Sequence, residues 1–221
     1  MNLLACIALG FAALQSWSLL KKHRPLEYLS KPAVMTVLFI WLWTSTGLEG
    51  ASLWFGLGIL FSLAGDVILM LAPVRLFLAG LIAFLLAHVA YFLGLNIPPA
   101  PFNMLTVGIA VLIILAALPL IRRILQSLVH KGLRRLVEPV RYYATVIALM
   151  LFSALMTLFR TDWLSTPAYL VSAGAVLFVA SDLILAWNKF VRPIRQGRLV
   201  LMITYHLGQM ALIAGAVMQF G

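Results

Sequence analysis

Two aspartates stand inside apolar stretches of this 221-residue chain, and their surroundings match. Asp66 lies in FSLAGDVILM (61–70) and Asp182 in LFVASDLILA (177–186). A glycine precedes each aspartate by eight residues, Gly58 in the first case and Gly174 in the second. Two carboxyl groups in a poorly solvated cleft can divide the tasks of proton donor and base, because desolvation and mutual repulsion favour protonation of one of them. The pattern predicts acid–base catalysis by both aspartates.

A histidine follows each aspartate by just over twenty residues, with another polar residue three positions further on, giving the pairs His88 and Tyr91, and His206 and Gln209. A spacing of three places both members of a pair on one helix face. We expect His206 to approach the acids and to serve as a third catalytic residue. His88 is expected deeper, where it reaches Asp66 only if the helices tilt or shift.

The amino-acid composition indicates whether these residues lie in water or in a membrane. Hydrophobic residues make up 64% of the chain, charged residues only 10%, and the mean hydropathy is +1.08. A soluble domain of this size could not hide so much apolar surface, so we predict an all-α integral membrane protein with one domain, 1–221. Continuous apolar runs of about 20 residues predict eight transmembrane helices, over 2–20, 30–46, 51–71, 76–95, 103–121, 139–159, 166–187 and 199–220.

Prolines stand near the ends of these segments, where helices begin or stop, namely Pro32, Pro73, Pro98, Pro99, Pro101, Pro139, Pro167 and Pro193. Pro119, late in the fifth segment, is expected to kink or end it.

Basic residues predict the orientation of the spans. Eight spans place fifteen of the sixteen lysines and arginines on one side and only Arg160 on the other. The positive-inside rule makes the basic side cytoplasmic, so both termini are expected on the opposite side. Anionic lipid headgroups explain basic residues in short loops, and the net charge of +10 therefore does not indicate nucleic-acid binding. Asp66 and Asp182 are expected at one depth, about 7–8 Å beneath the cytoplasmic surface.

The matched aspartate stretches also predict a parallel repeat of spans 1–4 and 5–8, with KP opening span 2 and EP opening span 6. Common catalytic motifs are absent, including G-x-S-x-G, the P-loop, H-E-x-x-H and C-x-x-C. The histidines and acids lie at different expected depths, so no metal site is predicted. The single Cys6 allows no internal disulfide.

Several motifs together resemble the YhhN-type lysoplasmalogenase family over nearly the whole chain. They are SKP (30–32), GD (65–66), FLLAHVAY (84–91), GAVLFVASD (174–182) and YHLGQMALIAG (205–215). The resemblance implies a hydrolase that cleaves the vinyl-ether bond of lysoplasmalogens to a fatty aldehyde and a glycerophospho-headgroup, without a cofactor. The residues to which it points are Lys31, Asp66, His88, Tyr91, Asp182, Tyr205, His206 and Gln209. It also implies a bacterial inner membrane location.

The resemblance suggests a mechanism in which Asp66 protonates the outer vinyl carbon and the other carboxylate stabilises the oxocarbenium ion. Asp182 or His206 would then activate water. Lys31 or Arg75 would hold the substrate phosphate, while Tyr143 and Tyr205 would line the cleft with the polar residues above. Two alternatives stay open, a proton-coupled transporter that uses the two buried aspartates and a membrane scaffold whose acids are structural.

Overall fold

The computed structural model describes residues 2–71, 75–100 and 103–221, and this part of the chain is helical without β-strands. The all-α prediction is therefore confirmed. The eight α-helices are α1 (Leu3–Leu20), α2 (Arg24–Thr46), α3 (Ala51–Leu71), α4 (Phe77–Leu95), α5 (Met104–His130), α6 (Val137–Met156), α7 (Ser165–Ala186) and α8 (Gly197–Phe220). A π-helical turn, Trp187–Val191, directly extends α7.

Seven of these helices, with the short segments that extend α6 and α7, are long and apolar enough to cross a membrane within the described residues. The chain is thus a multi-pass membrane protein. Helix α2 is not one of the seven, because Arg24, Glu27 and Lys31 make its first two turns polar.

Two helices are longer than the hydropathy pattern predicts. Helix α2 begins at Arg24 rather than at residue 30, because Pro25 suits the first turn and His23 Nδ1 accepts a hydrogen bond from Leu26 N at 3.3 Å. Pro32 consequently lies inside α2 and not at its start. Helix α5 continues past Pro119 to His130. Pro73 and Pro101 lie outside the described residues.

Helices α3 and α4, and α7 and α8, form the two most extensively packed pairs. In the second pair the backbones touch, since a Cβ atom at Gly174 would lie 2.6 Å from Leu212 N and 2.8 Å from Gly208 O. Aromatic rings fill the space between the pairs, and the ring of Phe178 lies 4.3 Å from His88 and 5.6 Å from Tyr205, centroid to centroid.

Helix α5 lies at the periphery of the bundle. Only three of its side chains are buried, those of Thr106, Ile124 and Leu128. It packs on α6 and on the π-helical turn. Most of its surface is therefore available to lipid.

Candidate active site

Asp66, near the end of α3, is held by two neighbouring helices. Lys31 Nζ of α2 lies 2.9 Å from its Oδ1 atom, and the hydroxyl of Tyr205 on α8 donates to its Oδ2 atom at 2.7 Å. The carboxylate is 1% exposed and the lysine 8%. Burial removes water from both charges, so each depends on the other for stabilisation. Gly65 leaves room for this arrangement, because a Cβ there would lie 2.7 Å from the Phe84 ring.

Asp182, near the end of α7, forms a second polar cluster. Its Oδ2 atom lies 2.7 Å from His88 Nε2 on α4 and accepts a hydrogen bond from the Tyr143 hydroxyl on α6 at 3.1 Å. The other ring nitrogen of His88 is buried without a hydrogen-bond partner among the described residues. An imidazolium would need an acceptor there, so this geometry favours a neutral ring. A neutral ring then carries its hydrogen on Nε2 and donates it to Asp182 Oδ2.

Both aspartates line one cavity of about 620 Å³. Lys31 and Tyr205 line it as well, together with Ser181. Its remaining charged residues come from helix ends at a single end of the bundle, the starts of α2 and α8 and the π-helical turn, and are Arg24, Glu27, Lys189 and Arg198. The cavity thus joins a charged mouth to two buried carboxyl groups.

A second, apolar pocket of about 90 Å³ shares part of its lining with this cavity. It lies among α4, α5, α6 and α7, and its lining includes Ile113 and Ala117 of α5 and Tyr143 of α6. Asp182, Phe77 and Leu185 line both spaces. Asp182 therefore stands at the junction between a charged cavity and a hydrocarbon-lined pocket.

The contacts of the two histidines differ from those predicted from the sequence. His88, expected too deep for easy contact, bonds to Asp182. His206, expected beside the acids, is 1% exposed, lies outside the residues lining either space, and neither of its ring nitrogens has a partner among the described residues. The reason is the rotation of α8, which faces the Tyr205 side chain to the cavity and leaves that of His206, about 100° further round the helix, outside its lining.

The remaining candidates, Tyr91, Gln209 and Arg75, do not line the cavity. The Tyr91 hydroxyl donates to Gln209 Oε1 at 2.6 Å, and Gln209 Nε2 donates to Ser62 Oγ at 3.1 Å. These two hydrogen bonds join α4, α8 and α3 away from the cavity lining. Arg75 is exposed after α3 and does not line the cavity.

The charged residues at the mouth were missed by the sequence reasoning, although helix periodicity signals them. Arg24 precedes Lys31 by seven residues, and Arg198 precedes Tyr205 by seven. Two turns of helix return a side chain to nearly the same face. Within the described residues, no group of three or more His, Cys, Asp or Glu side chains could hold a metal ion.

Comparison with known proteins adds an independent finding. The chain is 35% identical over 151 residues to the lysoplasmalogenase TMEM86B of Sus scrofa, covering 68% of this chain and 58% of that protein. It is 29% identical over 191 residues to TMEM86B of Homo sapiens (84% and 72% of the two chains) and 31% identical over 188 residues to that of Mus musculus (85% and 73%). No solved structure gives a significant match. Residues 26–216, which include every residue of both aspartate clusters, match the YhhN family, and the chain belongs to that family.

Proposed function

We propose that this protein is a lysoplasmalogenase, a hydrolase that cleaves the vinyl-ether bond of a lysoplasmalogen to a fatty aldehyde and a glycerophospho-headgroup. The observation that carries the proposal is the position of Asp182 between the charged cavity and the apolar pocket. A lysoplasmalogen has the same division, because its vinyl ether joins a hydrocarbon chain to a glycerophosphate. Relatives named lysoplasmalogenase support the activity, and nothing in the comparisons supports the transporter alternative.

The two aspartate clusters suit different steps of the reaction. A protonated Asp182 carboxyl, whose Oδ2 atom accepts hydrogen bonds from His88 Nε2 and Tyr143, transfers the proton on its other oxygen to the outer vinyl carbon, which leaves positive charge shared by the inner carbon and the ether oxygen. The Asp66 carboxylate, fixed by Lys31 and Tyr205, stabilises this oxocarbenium ion. The structure thus favours the cluster at Asp182 as proton donor, in place of the Asp66 donor expected from the sequence.

Water completes the reaction. It adds to the inner carbon while the Asp182 carboxylate accepts a proton from it, so the carboxyl group returns to its starting state. The resulting hemiacetal collapses to an aldehyde and releases the glycerol oxygen as a hydroxyl group. One water is consumed and no cofactor is required. His206 has no step in this scheme.

The proposal also includes the orientation of the protein in the membrane and the internal repeat of its helices. In this proposal all eight helices cross a bacterial inner membrane, α2 included, so the cavity mouth opens on the basic, cytoplasmic side and both termini lie on the opposite side. Each aspartate is contacted from the preceding helix of its own half, by Lys31 or Tyr143, and from the last helix of the other half, by Tyr205 or His88. This correspondence supports a parallel repeat of α1–α4 and α5–α8.

The direct test measures aldehyde release from a lysoplasmenyl-ethanolamine by purified wild type and Asp182→Asn in detergent. Asparagine keeps the size and hydrogen-bonding capacity of the side chain but cannot supply the proton. Loss of a general acid lowers rates by about 10²–10⁴-fold, and we expect a loss of this size with little change in melting temperature. Equal release by both proteins would exclude Asp182 as the acid, and no release by folded wild type would refute the hydrolase.

The apolar pocket is tested by filling it. Ala117→Phe places a ring in the pocket, whereas Ala116→Phe places the same ring on the exposed, lipid-facing side of α5. We expect only Ala117→Phe to raise the KM, and to raise it more for long-chain than for short-chain lysoplasmalogens. An equal effect of both substitutions, or none, would show that the chain binds elsewhere.

A further inference from the structure

The mouth of the cavity carries an ion pair that bridges two helices. Arg198 Nη2 of α8 contacts Glu27 Oε1 of α2, and both residues line the cavity. The side chain of Glu27 is 13% exposed and that of Arg198 is 75% exposed. Neither side chain belongs to the buried aspartate clusters, so the reaction itself leaves this pair without a role.

The mouth has an uneven charge distribution. Arg24, Lys189 and Arg198 contribute three positive charges, and among the described residues Glu27 is the only acid of the cavity lining outside the aspartate clusters. Three basic residues suit a phosphate, since ammonium and guanidinium groups form charge-assisted hydrogen bonds to phosphate oxygens. They do not explain a carboxylate in the same place, which would repel a phosphate.

A zwitterionic headgroup accounts for both signs. Ethanolamine and choline headgroups place a cationic nitrogen two carbons from the phosphate ester oxygen. We propose that Glu27 and Arg198 bind such a headgroup together, with Arg198 on the phosphate and Glu27 on the nitrogen, and so select zwitterionic over anionic lysolipids. This assignment rests on the proposed function for the identity of the substrate.

Exchange of partners at this pair is energetically accessible. Ion pairs with an exposed member contribute little, because water and salt screen them. A headgroup that offers one charge to each member replaces the ion pair without leaving either charge unpaired. An anionic headgroup replaces only the contact of Arg198 and leaves Glu27 facing negative charge.

The experiment measures binding, independently of turnover. Wild type, Glu27→Gln and Arg198→Gln in detergent are titrated with two saturated 1-O-alkyl lysolipids of equal chain length, one with a phosphoethanolamine and one with a phosphoglycerol headgroup. Neither contains a vinyl bond, so neither is a substrate. The control variant is Glu138→Gln, which breaks a comparable ion pair with Arg141 that is exposed and outside the cavity lining.

We expect Glu27→Gln to weaken binding of the ethanolamine lipid about tenfold, the loss of one charge-assisted contact, and not to weaken binding of the glycerol lipid. Arg198→Gln should weaken binding of both lipids, and Glu138→Gln should weaken binding of neither. Equal weakening of both lipids by Glu27→Gln would show that the pair only fastens α2 to α8, and no weakening by it would also overturn the assignment. Aldehyde release is scored separately, so selective binding without hydrolysis would refute the proposed activity alone.

Discussion

Removing the Asp66 carboxylate should unbalance the charge of its site. Asp66→Asn leaves the Lys31 ammonium buried, with an amide in place of the carboxylate 2.9 Å away. Breaking a buried ion pair by removing one partner costs about 3–5 kcal/mol, because the remaining charge stays desolvated. For a chain of this size, about 2–4 °C in melting temperature corresponds to each kcal/mol, so we expect a fall of roughly 6–20 °C.

A double substitution separates stability from catalysis. In Lys31→Met/Asp66→Leu both charges are replaced by apolar groups, which is often neutral or stabilising at a buried pair. We expect the double variant to recover most of the lost melting temperature and to release no aldehyde, since the carboxylate that stabilises the oxocarbenium ion is gone. Thermal unfolding in one detergent, followed by intrinsic fluorescence of the tryptophans, gives the melting temperatures of wild type and both variants. Aldehyde release is measured on the same preparations.

Two results would refute this reasoning. An unchanged melting temperature for Asp66→Asn would mean that the ammonium does not depend on this carboxylate. Full aldehyde release by the double variant would mean that Asp66 has no part in the reaction. The second result would leave the cluster at Asp182 as the whole catalytic machinery.

Two further predictions concern stability. Gly174→Ala should lower the melting temperature, because its Cβ would meet backbone atoms of α8, whereas Gly108→Ala on α5, with nothing within 4 Å, should leave it unchanged or raise it. In the loop before α7, hydrogen bonds from the Arg160 guanidinium hold the pKa of Asp162 below its usual value. A lowered folded pKa stabilises the protein above the unfolded pKa of about 3.9, and this contribution is lost as the pH falls through the folded pKa. The difference in melting temperature between wild type and Asp162→Asn should therefore be largest at pH 6 and become smaller as the pH falls below about 4, and a constant difference would contradict this account.

The membrane fold followed from composition alone. Long apolar runs can satisfy their backbone in lipid only as helices, so hydropathy predicted the helical fold and the approximate extent of most spans. It failed at the ends of α2 and α5, where polar or proline-containing turns continue a helix beyond its apolar core. Hydropathy reports contact with lipid, whereas hydrogen bonding decides where a helix ends.

The sequence by itself determined which residues are unusual, since a carboxylate in a span is costly wherever it lies. Asp66 and Asp182 could be singled out on that ground, and their matching positions in the spans predict one depth for both. Tertiary structure alone decided their partners. The rotation of α8 turns Tyr205 toward Asp66 and His206 away, and the packing of α4 brings His88 to Asp182. Spacing along one helix gives depth and face, but the helix that a face meets depends on the packing of the whole bundle.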